Sequence, residues 1–129
     1  MTETESFDVS ITYMSPNNYV DIYFAGSASP EKIKQVYQQA AKLASEHNVT
    51  NVLFDARNIS LPYDVEKLYK VVEFIAQHVG HLRIARIASL NDFKQDLIED
   101  IAIEKNLALR NFESKTLALK WLSTAELPA

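Results

Sequence analysis

Val49-Thr50-Asn51-Val52-Leu53-Phe54-Asp55 is the stretch on which the fold turns. Val52, Leu53 and Phe54 follow one another without a polar break. A strand with one wet face alternates apolar and polar residues; a strand covered on both faces has no need to. The stretch therefore reads as a strand over 49–55 buried between two layers, as in a parallel sheet clad with helices. Leu82 to Ala88 (LRIARIA) repeats the pattern. Its arginines, Arg83 and Arg86, fall on opposite faces, so at least one must pair or carry its charge outward along its aliphatic stem. Leu107 to Phe112 is a last strand.

Helical segments separate these strands. Asp64 caps a helix carrying Val65, Leu68, Tyr69, Val72, Ile75 and Val79, with Gly80 where it terminates. Asn91 or Asp92 caps another with Phe93, Leu97, Ile98, Ile101 and Ala102. Ser114 caps a last one with Leu117, Ala118, Trp121 and Leu122, in which Trp121 is expected to anchor the helix on the sheet. Upstream, Ser29-Pro30-Glu31 combines a capping hydroxyl, a proline at the first helical position and an acid in the first turn. Ile33, Val36, Tyr37, Ala40, Ala41 and Ala44 then form one apolar stripe, ending near His47-Asn48. Phe7 to Met14 and Tyr19 to Phe24 alternate strictly around Ser15-Pro16-Asn17-Asn18, which reads as a hairpin. The segment Ala56 to Tyr63 reads as a polar loop. The order is ββαβαβαβα: an α/β fold with a mixed, mostly parallel sheet of about five strands flanked by about four helices.

At 129 residues and 14.6 kDa the chain is one domain, 1–129, with 1–6 and 123–129 expected to be frayed tails. Folding buries roughly two thirds of the open chain's surface, enough for a core without staples. The absence of cysteine removes disulfides, thiol chemistry and cysteine-based zinc sites. With only Gly26 and Gly80, no glycine-rich phosphate loop can be written. A net charge of −4 and a pI near 5.3, with basic residues scattered singly, argue against nucleic acid as partner. The polar, acidic start is neither a signal nor a transit peptide, and no apolar run approaches a membrane span, so a cytoplasmic protein is expected.

The hairpin together with Asn51-Val52-Leu53-Phe54-Asp55-Ala56-Arg57, the strand Arg83-Ile84-Ala85-Arg86-Ile87-Ala88, and the ending Phe112-Glu113-Ser114-Lys115-Thr116-Leu117-Ala118-Leu119-Lys120-Trp121-Leu122 resemble the SpoIIAA-like, or STAS (STAS/SEC14-type), domain family. The resemblance covers nearly the whole chain. It implies a non-enzymatic regulatory module that binds a protein partner in a bacterial signalling or stress pathway. In that family a serine at the start of the second helix, within Asp-Ser-Ser/Thr-Gly, is phosphorylated by a partner kinase. Here the matching region is Asn58-Ile59-Ser60-Leu61-Pro62-Tyr63-Asp64-Val65: the motif is absent, Ser60 is the phosphosite candidate and Asp64 lies near the phosphoacceptor position. The SEC14 side implies lipid binding, for which the chain is short.

Ligands of open α/β sheets bind beyond the carboxyl ends of the strands. Asp55, Arg57, Asn58, Ser60, Tyr63 and Asp64 crowd one such end beside a helix start, a combination suited to a partner's polar group or, as the alternative, a small anionic or lipid-like ligand. The plainer reading is that Asp55 pairs with Arg57 and that Asn58 and Ser60 shape a turn. Of the three histidines, His78 and His81 are three apart, but Gly80 breaks the helix between them, so no metal and no cofactor is expected. No nucleophile motif is present. Glu99-Asp100 and Asp92-Asp96 read as solvated charge. Tyr19 and Tyr23 share a strand face that is core if a helix covers it and a partner patch if none does; a homodimer through this edge stays open.

Overall fold

Strands β1 (Phe7–Met14) and β2 (Tyr19–Ser27) pair antiparallel from Phe7 opposite Gly26 to Met14 opposite Tyr19, as the alternation around the 15–18 turn predicts. Asn18, at φ 57°, takes the left-handed position that asparagine tolerates in a tight turn. This computed structural model describes residues 7–89 and 92–124, so the expectations for the 1–6 tail, for 125–129 of the other tail and for Asn91 as a cap lie outside the described residues. Three βα units follow: α1 (Pro30–Glu46) to β3 (Asn51–Ser60), α2 (Val65–Val79) to β4 (Arg83–Ile87), and α3 (Phe93–Glu104) to β5 (Ala108–Phe112). Helix α4 (Lys115–Thr124) closes the described chain. It includes Ser123 and Thr124, which were expected to fray; their hydroxyls bond back to carbonyls of the last turn.

The five strands lie in sequence order, β1-β2-β3-β4-β5, and every pairing from β2 onward is parallel. Right-handed crossovers that always advance in one direction place their helices on one face of the sheet. Helices α1, α2 and α3 accordingly pack side by side on one face. Among the described residues the other face receives α4, which lies over β3, β4 and β5. The core thus has two parts. Val20, Ile22, Phe24, Val52, Phe54, Ile84 and Leu109 meet the three-helix layer. Leu53, Ala85, Ile87 and Tyr19 meet Ala118 and Leu122 of α4. The unbroken run Val52-Leu53-Phe54 is accounted for: alternate residues feed alternate layers.

Two strand ends run past their expected limits: β2 continues beyond Phe24 to Ser27, and β3 beyond Asp55. Strand β3 does not end at Asp55 but continues to Ser60, so the supposed loop over 56–63 is mostly strand. Ala25, Gly26 and Ser27 of β2 pair with Asn58, Ile59 and Ser60, and between Tyr23–Asp55 and Ala25–Asn58 the register slips. Ala56 and Arg57 there stand against the single residue Phe24, a β-bulge. The extra residue lets two polar side chains stay in the sheet while Ile59 packs against the core. The true connection to α2 is Leu61-Pro62-Tyr63, and Leu61 and Tyr63 are both buried.

Candidate functional site

The bulge sets the geometry of the crowded strand end. Asp55 accepts three hydrogen bonds from Arg57: its backbone N–H at 3.2 Å, Nε at 3.0 Å and Nη2 at 2.8 Å. The two-pronged contact holds the Asp55 carboxyl below the usual carboxylate range, against the opposing pull of partial burial, with Lys115 contributing at longer range. Asn58 donates from Nδ2 to the Tyr23 hydroxyl at 3.3 Å, tying the bulged strand back to β2. Ser60 is exposed, and its carbonyl accepts the Ala28 N–H at 2.9 Å, so it is a strand residue and not a loop residue. Asp64 caps α2, its carboxylate accepting the Lys67 N–H at 2.9 Å.

These residues do not all share one surface. Asp55, Arg57, Asn58 and Ser60 lie in the last six residues of β3, the first half-buried and the other three exposed. Tyr63 is turned inward instead, and burial pushes its hydroxyl up to about 12. The tyrosine question resolves into a split: Tyr19 is buried at the margin of α4, while Tyr23 lies only partly buried beside Asn58. Asp21 joins the group. Its carboxyl is raised by burial foremost and by Asp55, against the lowering effect of Lys115.

Two basic residues whose roles the sequence does not show lie beneath the region, and one of them holds it. Lys94, on the first turn of α3, donates from Nζ to the carbonyls of Leu61 at 2.6 Å and Tyr63 at 2.7 Å, clamping the β3–α2 connection. Arg86 lies on the three-helix face and is 3% exposed; its Nη1 donates to Asn111 Oδ1 at 3.0 Å. Only the requirement that Arg83 and Arg86 diverge was visible in the sequence. Arg83 takes the α4 face, over the Trp121 ring at 4.3 Å, and Trp121 also meets Phe112 as an anchor of α4.

Two of the three histidines stack on aromatic rings. His47 stacks on Tyr13 with ring centroids 3.8 Å apart, and His78 on Phe74 at 4.0 Å. Among the described residues no group of three or more metal-ligating side chains comes together, and no helix is long and apolar enough to cross a membrane.

No protein-family model matches the sequence. The CCA-adding enzyme of Staphylococcus haemolyticus (strain JCSC1435) is 26% identical over 115 residues, a match that takes in 83% of this chain and 26% of that enzyme. The chain thus spans about a quarter of that relative's length. In shape it is similar to an uncharacterized protein of the DUF3478 family from Shewanella loihica PV-4, described as having a SpoIIAA-like fold. That similarity has a TM-score of 0.60 at 16% identity, and covers 95% of this chain and 98% of the other. The chain, a five-stranded mixed sheet with four helices among the described residues, has a SpoIIAA-like α/β fold.

Proposed function

We propose that the chain is a cytoplasmic, non-enzymatic regulatory module that docks a protein partner through the outer end of β3 and the first turn of α2. The observation that carries this reading is the placement of Arg57, Asn58, Ser60 and Asp64. All four are exposed, and they stand on a strand end and a capped helix start. A surface fixed in this way loses little conformational freedom on binding, so more of its contact energy appears as affinity. The Asp55 carboxylate holds the Arg57 guanidinium in one orientation and leaves it half exposed for a partner. Ser60 is the point at which phosphorylation would modulate docking, since a phosphate there adds about two negative charges close to the Asp64 carboxylate and the α2 start.

The test is a photo-crosslinking residue introduced at Ser60 and, separately, at exposed Gln39 on α1, in protein expressed in its own host. One discrete adduct from position 60, absent from position 39 and lost in Arg57→Ala/Asp64→Ala, is the expected result. Equal labelling from both positions would overturn the assignment of this surface. Ser60→Asp in a second crosslinking chain, with the probe at Asn58, reads whether charge at position 60 alters adduct yield.

A further inference from the structure

Arg86 raises a physical problem that docking at the β3 end does not address. A guanidinium keeps its charge throughout the pH range proteins tolerate. Burying such a charge without a counter-ion costs several kcal/mol, so buried arginines are ordinarily paired with carboxylates. No ion pair among the described residues includes Arg86. Its neutral partners are Asn111, at 3.0 Å, the Tyr37 hydroxyl, and the Phe54 ring, whose centroid lies 5.8 Å from the guanidinium carbon. Asn111 also donates from Nδ2 to the Gln95 carbonyl at 2.7 Å. Burial raises the hydroxyls of Tyr37 and Tyr63, so neither supplies a negative charge near neutral pH.

Arg86 also lines a cavity of about 30 Å³ beneath the β3–α2 connection. Its other walls include Tyr37, Phe54, Leu61, Tyr63 and Ile98. The space is two to three times what one water needs, on the order of 10–15 Å³ in the same measure. It therefore admits an anion of a few heavy atoms. The fork of guanidinium donors matches the two oxygens of a carboxylate, the tyrosine hydroxyls can donate to the same oxygens, and the apolar walls suit a short alkyl group.

We propose that this cavity is a binding site for a small monocarboxylate of acetate size, with Arg86 as its counter-ion. Leu61 and Tyr63 form the wall nearest the surface connection, and Lys94 bonds their carbonyls. The site lies below the proposed docking surface and does not depend on it; Arg57 and Asp64 are not among its walls.

The experiment compares sodium acetate with sodium chloride at equal ionic strength, by thermal unfolding and by amide resonances, in the wild type and in Arg86→Met. Acetate is expected to raise the unfolding midpoint saturably beyond chloride and to move resonances of 61–63 and β4. Arg86→Met, which replaces the charge with an apolar chain of similar length, is expected to weaken acetate binding about tenfold or more. Arg57→Ala/Asp64→Ala is expected to bind acetate like the wild type. Identical responses to the two salts, or resonance changes confined to the outer surface, would overturn the proposal. Should Arg86→Met fail to fold, the Arg86 Nε–H resonance of the wild type decides: a saturable acetate-dependent shift supports the site and invariance sinks it.

Discussion

Asp21 and Asp55 project from neighbouring strands, and their surroundings push their acidities in opposite directions. The folded state depresses Asp55, mainly through Arg57. Its contribution is therefore present above the unfolded value, about 3.9, and is lost as pH falls through the lower folded value. Asp21 is raised by burial, so its charged form opposes folding above its folded value and costs nothing once both states are protonated. Asp55→Asn is expected to lower stability at neutral pH by up to about 1 kcal/mol, a modest figure because Arg57 is half exposed. Asp21→Asn is expected to raise it by about 0.5 kcal/mol. Both differences should shrink on acidification, and urea unfolding between about pH 3 and pH 7 reads the two signs directly. Gly80 is fixed by close approach: a Cβ there would overlap the Ala76 carbonyl oxygen at the end of α2. Gly80→Ala should cost roughly 1–3 kcal/mol in the same assay, and a neutral result would show that the helix end yields without strain.

The elements whose ends are set by neighbours in sequence were legible, and those set by distant partners were not. Ser29, Asp64, Asp92 and Ser114 each accept the N–H of a residue two or three positions on, and each was readable as a cap. The length of β3 depends on β2, whose Ala25-Gly26-Ser27 continues the ladder past a bulge. Arg57 and Asn58 next to Pro62 imitate a loop, and nothing local contradicts them. The Lys94 clamp joins residues more than thirty positions apart and leaves no pattern in the chain. Its energetics belong to the element it restrains. Lys94→Met retains the aliphatic stem and deletes both charge-assisted bonds, so the β3–α2 connection should loosen. The expected loss is about 1–2 kcal/mol in urea unfolding, with faster amide exchange concentrated at 61–64. Uniform protection there despite the substitution would mean that the burial of Leu61 and Tyr63 holds the connection unaided.

Across the molecule, the same topology that places three helices on one face leaves the other to α4. Phe54 belongs to the larger core, 1% exposed, against Tyr37 at 5.4 Å between ring centroids. Among the described residues the smaller core is covered mainly by α4: Ala118 and Leu122 lie over Leu53, Ala85 and Ile87, with Tyr19, Phe112 and Trp121 at its margin. The order of helices and strands was readable, but the sheet order was not, and with it went the knowledge that α4 lies opposite the other three helices. Asn51 reinforces the arrangement by donating from Nδ2 to the Leu122 carbonyl at 3.4 Å. Leu122→Ala should cost about 2–4 kcal/mol, a large share of the roughly 5–15 kcal/mol that holds a domain together, and should leave a folded protein. Ending the chain after Ser114 is a different perturbation. It uncovers the apolar residues of β3 and β4 that α4 covers, and exposed apolar faces associate. The truncated chain is expected to sediment as concentration-dependent oligomers, while Leu122→Ala keeps the mass distribution of the parent. A truncated chain that matched the parent in both sedimentation and stability would show that the three-helix layer alone carries the fold, and that α4 is an appendage to it.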